Sequence, residues 1–453
     1  MSILSKVTLP GEKSVTAWLR EKARATRDTM FRIRSRQARS RRLASKAKFI
    51  GVTGSSAKTT TTALLAHVLE GHGQVASHLD FNGIRGLTRL LNDHAGDRDF
   101  LLAEAGVGGP GAMAPMAETL RPDIAIVTLV AMEHRSKFKT LEAVALEKGK
   151  LVECVHSGGL AILNADDPHV MSMAARTSER VVTFGRNRGA DYWASEATAA
   201  FPRRLSLTVT WAGGRLELRT QLVAEHFWVS VTAATAAAIE LGVPPETIAE
   251  RMASFVPIRH RCGTIDVPGG PHFVVDTVKA PLHSLPLAFD IVANAKAPRK
   301  RIVLGHMSDF AGSDAKYRDA YRAARAIADQ TIFVGEHSGR SKATAEEINA
   351  GRFLACDSPR DVAEHLRATA VPGELILVKA SSNLHLERIA MSFVEDVQCW
   401  VTYCGKSQGC DACGLYPLPY EVHRGRRRWR ERALLKRIFR PWKKARRTAP
   451  GAV

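Results

Sequence analysis

The sequence predicts an α/β protein: a parallel-sheet domain built on a phosphate-binding loop, then a smaller Rossmann-like domain. Three observations predict it. An apolar run, Lys48-Phe-Ile-Gly-Val52, leads through Thr53 and Gly54-Ser-Ser-Ala-Lys-Thr-Thr60 into a Thr- and Leu-rich helix start. From residue 48 to 185, short apolar runs alternate with helical patterns, as in strands joined by crossover helices. Near 258 the same alternation begins again.

The elements follow in order. Residues 11–47 are basic with few apolar positions (Trp18, Leu19, Met30, Phe31, Ile33) and read as a partly solvated basic helix. Strands are expected at 49–52, 100–103, 124–129, 160–163 and 181–184, and helices at 59–70, 112–120 and 140–156. Alternating patterns at 205–211 and 215–223 flank Ala212-Gly-Gly214 and predict a β-hairpin. Ala-rich helices follow at 229–241 and 245–254. The second series has strands at 272–276, 301–304, 331–334 and 374–379, with helices at 315–329, 341–349, 358–369 and 384–397. The expected division is a basic extension (1–47), an ATP-binding domain (48–258), a doubly wound domain (259–398) and a Cys-rich, basic end (399–453).

A chain of 453 residues with 45% apolar content is ample for two or three cores. No apolar run reaches the roughly 18 residues that span a membrane. The N-terminus has no continuous apolar leader, so a cytoplasmic location is expected, where ATP is available. The net charge of +20 is concentrated at the ends: residues 1–48 carry 14 Lys/Arg against 3 Asp/Glu, and 421–453 carry 13 against 2. The middle, with 38 against 40, is neutral, and nucleic acid is not an expected partner. In the tail 424–447, Trp429, Leu434, Leu435, Ile438, Phe439 and Trp442 fall near one helical face. It reads either as a basic amphipathic helix for an anionic membrane surface or a partner protein, or as a solvated tail.

The chemistry-bearing residues lie at strand ends. Backbone N–H groups of Gly54, Ser55, Ser56, Ala57 and Thr60 are suited to cradle phosphates at a helix N-terminus. Lys58 would reach the terminal phosphates, and the Thr59 hydroxyl would hold Mg²⁺. Ala57 stands where such loops usually have glycine, and its methyl is expected to strain the turn or crowd the phosphate. Glu104 ends a strand on the ligand-binding edge and would complete an Mg²⁺ shell with Thr59. His134 follows another strand on that edge, and Lys148 sits on the helix after it; each alone is more often structural. Cys399-x₄-Cys404-x₅-Cys410-x₂-Cys413 fits a tetrahedral Zn²⁺ site or free thiols, and both readings stay open.

Taken in order, these residues resemble the Mur ligase family, the ATP-dependent amide ligases of peptidoglycan synthesis. The phosphate loop, Glu104-Ala-Gly106, Arg121-Pro-Asp-Ile-Ala-Ile-Val-Thr128, His134, Glu147-Lys-Gly-Lys150 and Asn164-Ala-Asp-Asp-Pro168 carry the resemblance in the first domain. Phe273-Val-Val-Asp-Thr-Val-Lys-Ala-Pro281 and Leu377-Val-Lys-Ala-Ser381 carry it in the second. The resemblance implies that ATP phosphorylates a carboxylate and that an amine then attacks the acyl phosphate. It also implies a second Mg²⁺ on His134 and a carbamylated Lys148, nucleotide contacts at Asn164 and Asp276, and substrate or phosphate contacts at Lys279 and Lys379. Three departures stand out: Ala57, Ala380 in the late Lys-Ala-Ser, and His226-Phe-Trp-Val-Ser230 where the family often has a His-Asn…Asn pattern. The family's UDP-sugar-binding N-terminal domain is not recognised, so an amino-acid or peptide-type substrate is expected. The alternative is a degenerate ATP-binding relative that acts through its basic ends.

Overall fold

The computed structural model describes residues 15–79, 82–132, 137–308, 313–406 and 408–423. They divide into two compact units, one reaching Val256 and the other beginning at Pro257, with Ala200–Pro202 grouped in the second. The basic tail from 424 onward lies outside the described residues, and so does the reading of it as an amphipathic helix. No described helix is long and apolar enough to cross a membrane.

The first unit is built on nine strands: β1 (Lys48–Thr53), β2 (Val75–His78), β3 (Phe100–Glu104), β4 (Ile124–Val127), β5 (Leu160–Asn164), β6 (Arg180–Gly185), β7 (Tyr192–Ala200), β8 (Arg203–Trp211) and β9 (Gly214–Arg219). Their order is β2-β3-β1-β4-β5-β6-β7-β8-β9. From β2 to β7 each neighbouring pair is parallel, and β8 and β9 form an antiparallel hairpin. β3, β4 and β5 are buried along their whole length, which is why they read as continuous apolar runs rather than alternating ones. After β1 the chain winds toward one edge through β2 and β3, then crosses to β4 on the other side. That reversal opens a crevice at the carboxyl end of β1, where open α/β sheets bind ligands.

Helices 113–120 and 141–153 pack closely on β1 at Gly51, where a Cβ would lie 2.9 Å from Leu120 Cδ2. The basic helix Val15–Ala44 docks here through one buried cation. Arg42 donates to the carbonyls of Leu120 (2.7 Å) and Arg121 (2.6 Å) and to Asp123 Oδ2 (3.1 Å), and lies 4.0 Å over the Phe49 ring.

The second unit holds β10 (Gly263–Asp266), β11 (His272–Asp276), β12 (Lys300–Leu304), β13 (Gln330–Val334), β14 (Phe353–Cys356) and β15 (Leu375–Lys379). Their order is β10-β11-β15-β12-β13-β14, parallel except for the β10–β11 pair.

Several elements depart from the sequence expectation. β2, β10 and β14 have four residues each and are only partly buried, so no continuous apolar run marks them as it does the equally short β4. The helix Ile84–His94 has apolar residues at 84, 87, 90 and 91, but its start is hidden behind Asn82-Gly83. The helix expected at 384–397 is broken into a 3₁₀ turn, Ser382–Leu384, and a short helix, Glu387–Met391. His385 between them is left-handed (φ 50°). Arg388 binds the carbonyls of Leu384 (3.1 Å) and Val401 (2.9 Å), drawing the chain out of a regular helix.

Candidate active site

β1 ends at Thr53, and Gly54–Ala57 turns the chain into the helix Lys58–Leu69. Two positions make that turn. Gly54 has φ +150°, and a Cβ there would lie 1.9 Å from Thr128 Oγ1, so the end of β4 approaches too closely for any side chain. Ala57 is left-handed (φ 67°, ψ −12°), a conformation that favours glycine. The loop is held from the β4 side. Thr128 Oγ1 donates to the Ser56 carbonyl (2.7 Å), Ser55 N–H donates to the Leu129 carbonyl (2.8 Å), and the Ser55 hydroxyl accepts from Ala131 N–H (2.9 Å). The first intrahelical bond runs from Thr61 N–H to the Ala57 carbonyl (2.9 Å). The N–H groups of Lys58, Thr59 and Thr60 therefore precede the helical ladder, as at any helix start.

Lys58 is buried and its Nζ donates to the Gly54 carbonyl at 2.6 Å. This folds the ammonium over the loop. Thr59 Oγ1 donates to Glu104 Oε2 at 2.9 Å, and both residues are buried. The β1–β3 register sets this up by pairing Val52 with Glu104. Asn82 Nδ2 lies 3.5 Å from Glu104 Oε1, and Gly106 leaves room for that amide, since a Cβ there would be 2.5 Å from it. Asn82 carries no sequence signal beyond an Asn-Gly dipeptide in a loop. Thr128, too, reads from the sequence only as the end of a strand.

Lys148 is fully buried on the helix Leu141–Glu153. Its neighbour Glu147 fastens that helix to the segment after β3. Glu147 Oε1 accepts from Met113 N–H (2.7 Å), and Oε2 accepts from Gly111 N–H (3.0 Å) and Lys150 Nζ (2.8 Å). Burial pushes the Glu147 carboxyl up, but the Lys150 bond and the two N–H groups outweigh it and hold it below the usual range. His134 lies outside the described residues. Asn164 spans neighbouring strand ends: its Nδ2 donates to the Thr128 carbonyl (2.8 Å) and its Oδ1 accepts from Asp166 N–H (3.0 Å). Ser230, in the His226–Ser230 stretch, reaches the Ala57 carbonyl at 3.4 Å.

In the second unit, Asp276 and Lys379 are paired by strand register at the carboxyl ends of β11 and β15. Lys379 is buried, donating to Asp276 Oδ2 (2.5 Å) and the Lys279 carbonyl (2.8 Å). Lys279 itself is exposed. Cys399, Cys404, Cys410 and Cys413 line one small cavity, and Cys410 belongs to this unit's hydrophobic core.

A glycine-bearing turn at a sheet's switch point, with lysine, hydroxyl and carboxylate converging at the helix N-terminus, defines a P-loop nucleotide-dependent enzyme. Comparison with known proteins narrows the class. The model of the Mur ligase middle domain matches residues 52–238. A UDP-N-acetylmuramoyl-tripeptide–D-alanyl-D-alanine ligase of Mycobacterium tuberculosis is 30% identical over 376 residues, covering 77% of this chain and 73% of the relative. Among solved structures, MurF from Acinetobacter baumannii superposes with a TM-score of 0.72 at 20% identity over 80% of this chain and 79% of that one. A MurF ligase of Thermotoga maritima in complex with ADP gives a TM-score of 0.67 at 20% identity over 80% and 83%. The chain belongs to the Mur ligase family. It is an ATP-dependent, ADP-forming ligase that joins a carboxylate to an amine, and the degenerate alternative is not favoured.

Proposed function

We propose that this ligase phosphorylates the carboxylate of an amino-acid or peptide-type substrate with ATP and passes the acyl group to the amine of an amino acid or short peptide. A carboxylate resists amines because it would have to expel oxide or hydroxide. Transfer of the γ-phosphoryl group to the carboxylate oxygen releases ADP and leaves phosphate as the group to expel. The amine then bonds to the acyl carbon, loses a proton, and inorganic phosphate departs.

The observation that carries this reading is the buried Thr59–Glu104 bond beside Lys58. A carboxylate at a phosphate site repels the ligand unless a cation lies between them. The hydroxyl and carboxylate oxygens are hard donors that fit Mg²⁺. Bound there, Mg²⁺ would neutralise charge on the transferring phosphoryl group. The N–H groups of Gly54–Thr60 would orient the phosphates, and the Lys58 ammonium would stabilise charge building on them. Asn164 would brace the strand ends beside the nucleotide. By the family resemblance, Lys148, fully buried on its helix, would be carbamylated to an oxygen ligand that, with His134, would hold a second Mg²⁺. For Lys379 to meet substrate or phosphate it would exchange its bond to Asp276, while exposed Lys279 is open to a ligand.

The relatives named for D-alanyl-D-alanine addition make a dipeptide the first amine to try. The test is ADP release from Mg·ATP with acids and amines supplied in turn. Release that requires one acid and one amine together supports the proposal; release without either, or with an acid that never yields an amide, overturns it.

A further inference from the structure

We propose that His306, Glu336 and His337 form a binding site for a divalent transition metal, with Zn²⁺ the ion that suits them best. Their side chains offer ligand atoms that all lie within 4.8 Å of one another. The sheet sets their place. β12 and β13 are parallel neighbours with Leu304 opposite Phe333, so His306 and the Gly335–His337 segment leave adjacent strands at their carboxyl ends. That is the edge on which an open α/β sheet binds its ligands, and the edge on which Lys379 ends β15.

The distances fit ligands of one ion rather than partners of one another. Glu336 Oε1 lies 3.9 Å from His306 Nε2 and 3.6 Å from His337 Nε2. Both separations are too long for hydrogen bonds. Atoms that each sit about 2.0–2.1 Å from a tetrahedral zinc stand about 3.3–3.4 Å apart, so a small inward movement of the Glu336 carboxylate closes the set. Its side chain is 68% exposed and free to make that movement. His306 is only 7% exposed, yet its Nε2 has no hydrogen-bond partner. His337 Nδ1 is likewise buried and without a partner. Ring nitrogens left dry in a fold are costly, and a metal takes up the lone pair of an imidazole.

The backbone holds the rings and leaves space beside them. The His306 carbonyl accepts from Ser381 N–H (2.9 Å), and Met307 N–H donates to the Tyr317 hydroxyl (3.1 Å). The Tyr317 ring packs edge-on against His337 with centroids 5.4 Å apart, and the two imidazoles lie 4.7 Å apart. Gly335 is left-handed (φ +93°), and a Cβ there would stand 3.4 Å from His306 Nε2. Glycine therefore both makes the turn and keeps the space beside that nitrogen open.

The donor set selects the ion. Two imidazole nitrogens and one carboxylate suit zinc and its neighbours, whereas Mg²⁺ prefers oxygen throughout. Three protein ligands is also the count of open zinc centres, whose fourth position takes water or a substrate. The four-cysteine zinc site that the spacing left open does not form such a group. Of those cysteines only Cys410 belongs to one, with His385 and Glu387. There Glu387 Oε1 lies 3.1 Å from His385 Nδ1 and accepts the Cys410 N–H at 3.1 Å, so those atoms already satisfy one another.

The test uses the full chain, purified without a metal-affinity tag and stripped with a chelator. Titration with zinc chloride should reveal a tight site, and about a hundredfold excess of Mg²⁺ should not displace the zinc. X-ray absorption of the complex at one zinc per chain should show only nitrogen and oxygen at about 2.0–2.2 Å, with the outer scattering of two imidazoles. His306→Gln and Glu336→Gln should each weaken Zn²⁺ binding about tenfold or more. Glu336 is exposed, so its variant keeps the proposal testable even if His306→Gln fails to fold. A wild-type chain that does not bind Zn²⁺ would overturn the proposal, as would sulfur in the shell or an unchanged affinity in Glu336→Gln.

Discussion

Ala57→Gly probes the phosphate loop through its backbone alone. Ala57 has φ 67° and ψ −12° and offers no side-chain cap to the helix Lys58–Leu69. A residue with a Cβ pays about 1–2 kcal/mol to stand there. Glycine removes that cost but widens the unfolded ensemble, which takes back about 0.4–1 kcal/mol. The balance is a gain of about 0.5–1 kcal/mol, or roughly 2 °C in the melting midpoint of a unit of this size. Calorimetry of the full chain with and without Mg·ADP reads both consequences. The variant should melt higher in the absence of nucleotide. If the methyl also crowds the phosphate, ADP should raise the midpoint further in the variant than in the wild type. An unchanged or lower midpoint without nucleotide would refute the claim that the loop holds alanine under strain.

Other outcomes follow from the same geometry. Lys58→Ala should reduce ligation by about 10²–10³-fold or more, because its ammonium faces the charge that develops on the phosphoryl group; steady-state ADP release measures it. Lys148→Ala should abolish ligation, with partial recovery on adding a short carboxylate, and undiminished activity would remove the second-metal role. Gly54→Ala should destabilise the first unit by about 1–3 kcal/mol, since its Cβ would meet Thr128 Oγ1 at 1.9 Å. Acid should weaken the fold before carboxylates protonate. His67, His306 and His365 are all held below the ordinary histidine value, chiefly by burial and then by Arg251, His337 and Arg301 respectively. The unfolded chain therefore takes up protons first, near pH 6.5, so their contribution is complete above about 6.5 and is lost as pH falls from there. Melting should drop between pH 7 and 5, and His67→Gln should flatten part of that fall.

The phosphate loop was legible because its requirements are local: a strand, a glycine where β4 comes close, and a lysine and hydroxyl at a helix start. Glu104 was legible as a strand-end carboxylate, although its bond to Thr59, 45 residues earlier in the chain, depends on the register of β1 and β3. Asn82 was not legible, because it reaches Glu104 from a loop with no pattern of its own. Lys379 looks from the sequence like a ligand-facing lysine, but register across β11 and β15 gives this buried lysine Asp276 as a partner. The helix expected at 384–397 failed for a similar reason. Its apolar pattern is real, but His385 is left-handed and the Arg388 side chain takes the carbonyls of Leu384 and His385.

The most direct measurement is ADP release from Mg·ATP by the wild-type chain, followed by mass analysis of the product. With the right acid and amine present together, ADP and phosphate should appear in equal amounts with a new amide, and Lys58→Ala should lower all three together by the same large factor. ADP formed at the same rate without an amine and without any amide product would contradict a carboxylate–amine ligase.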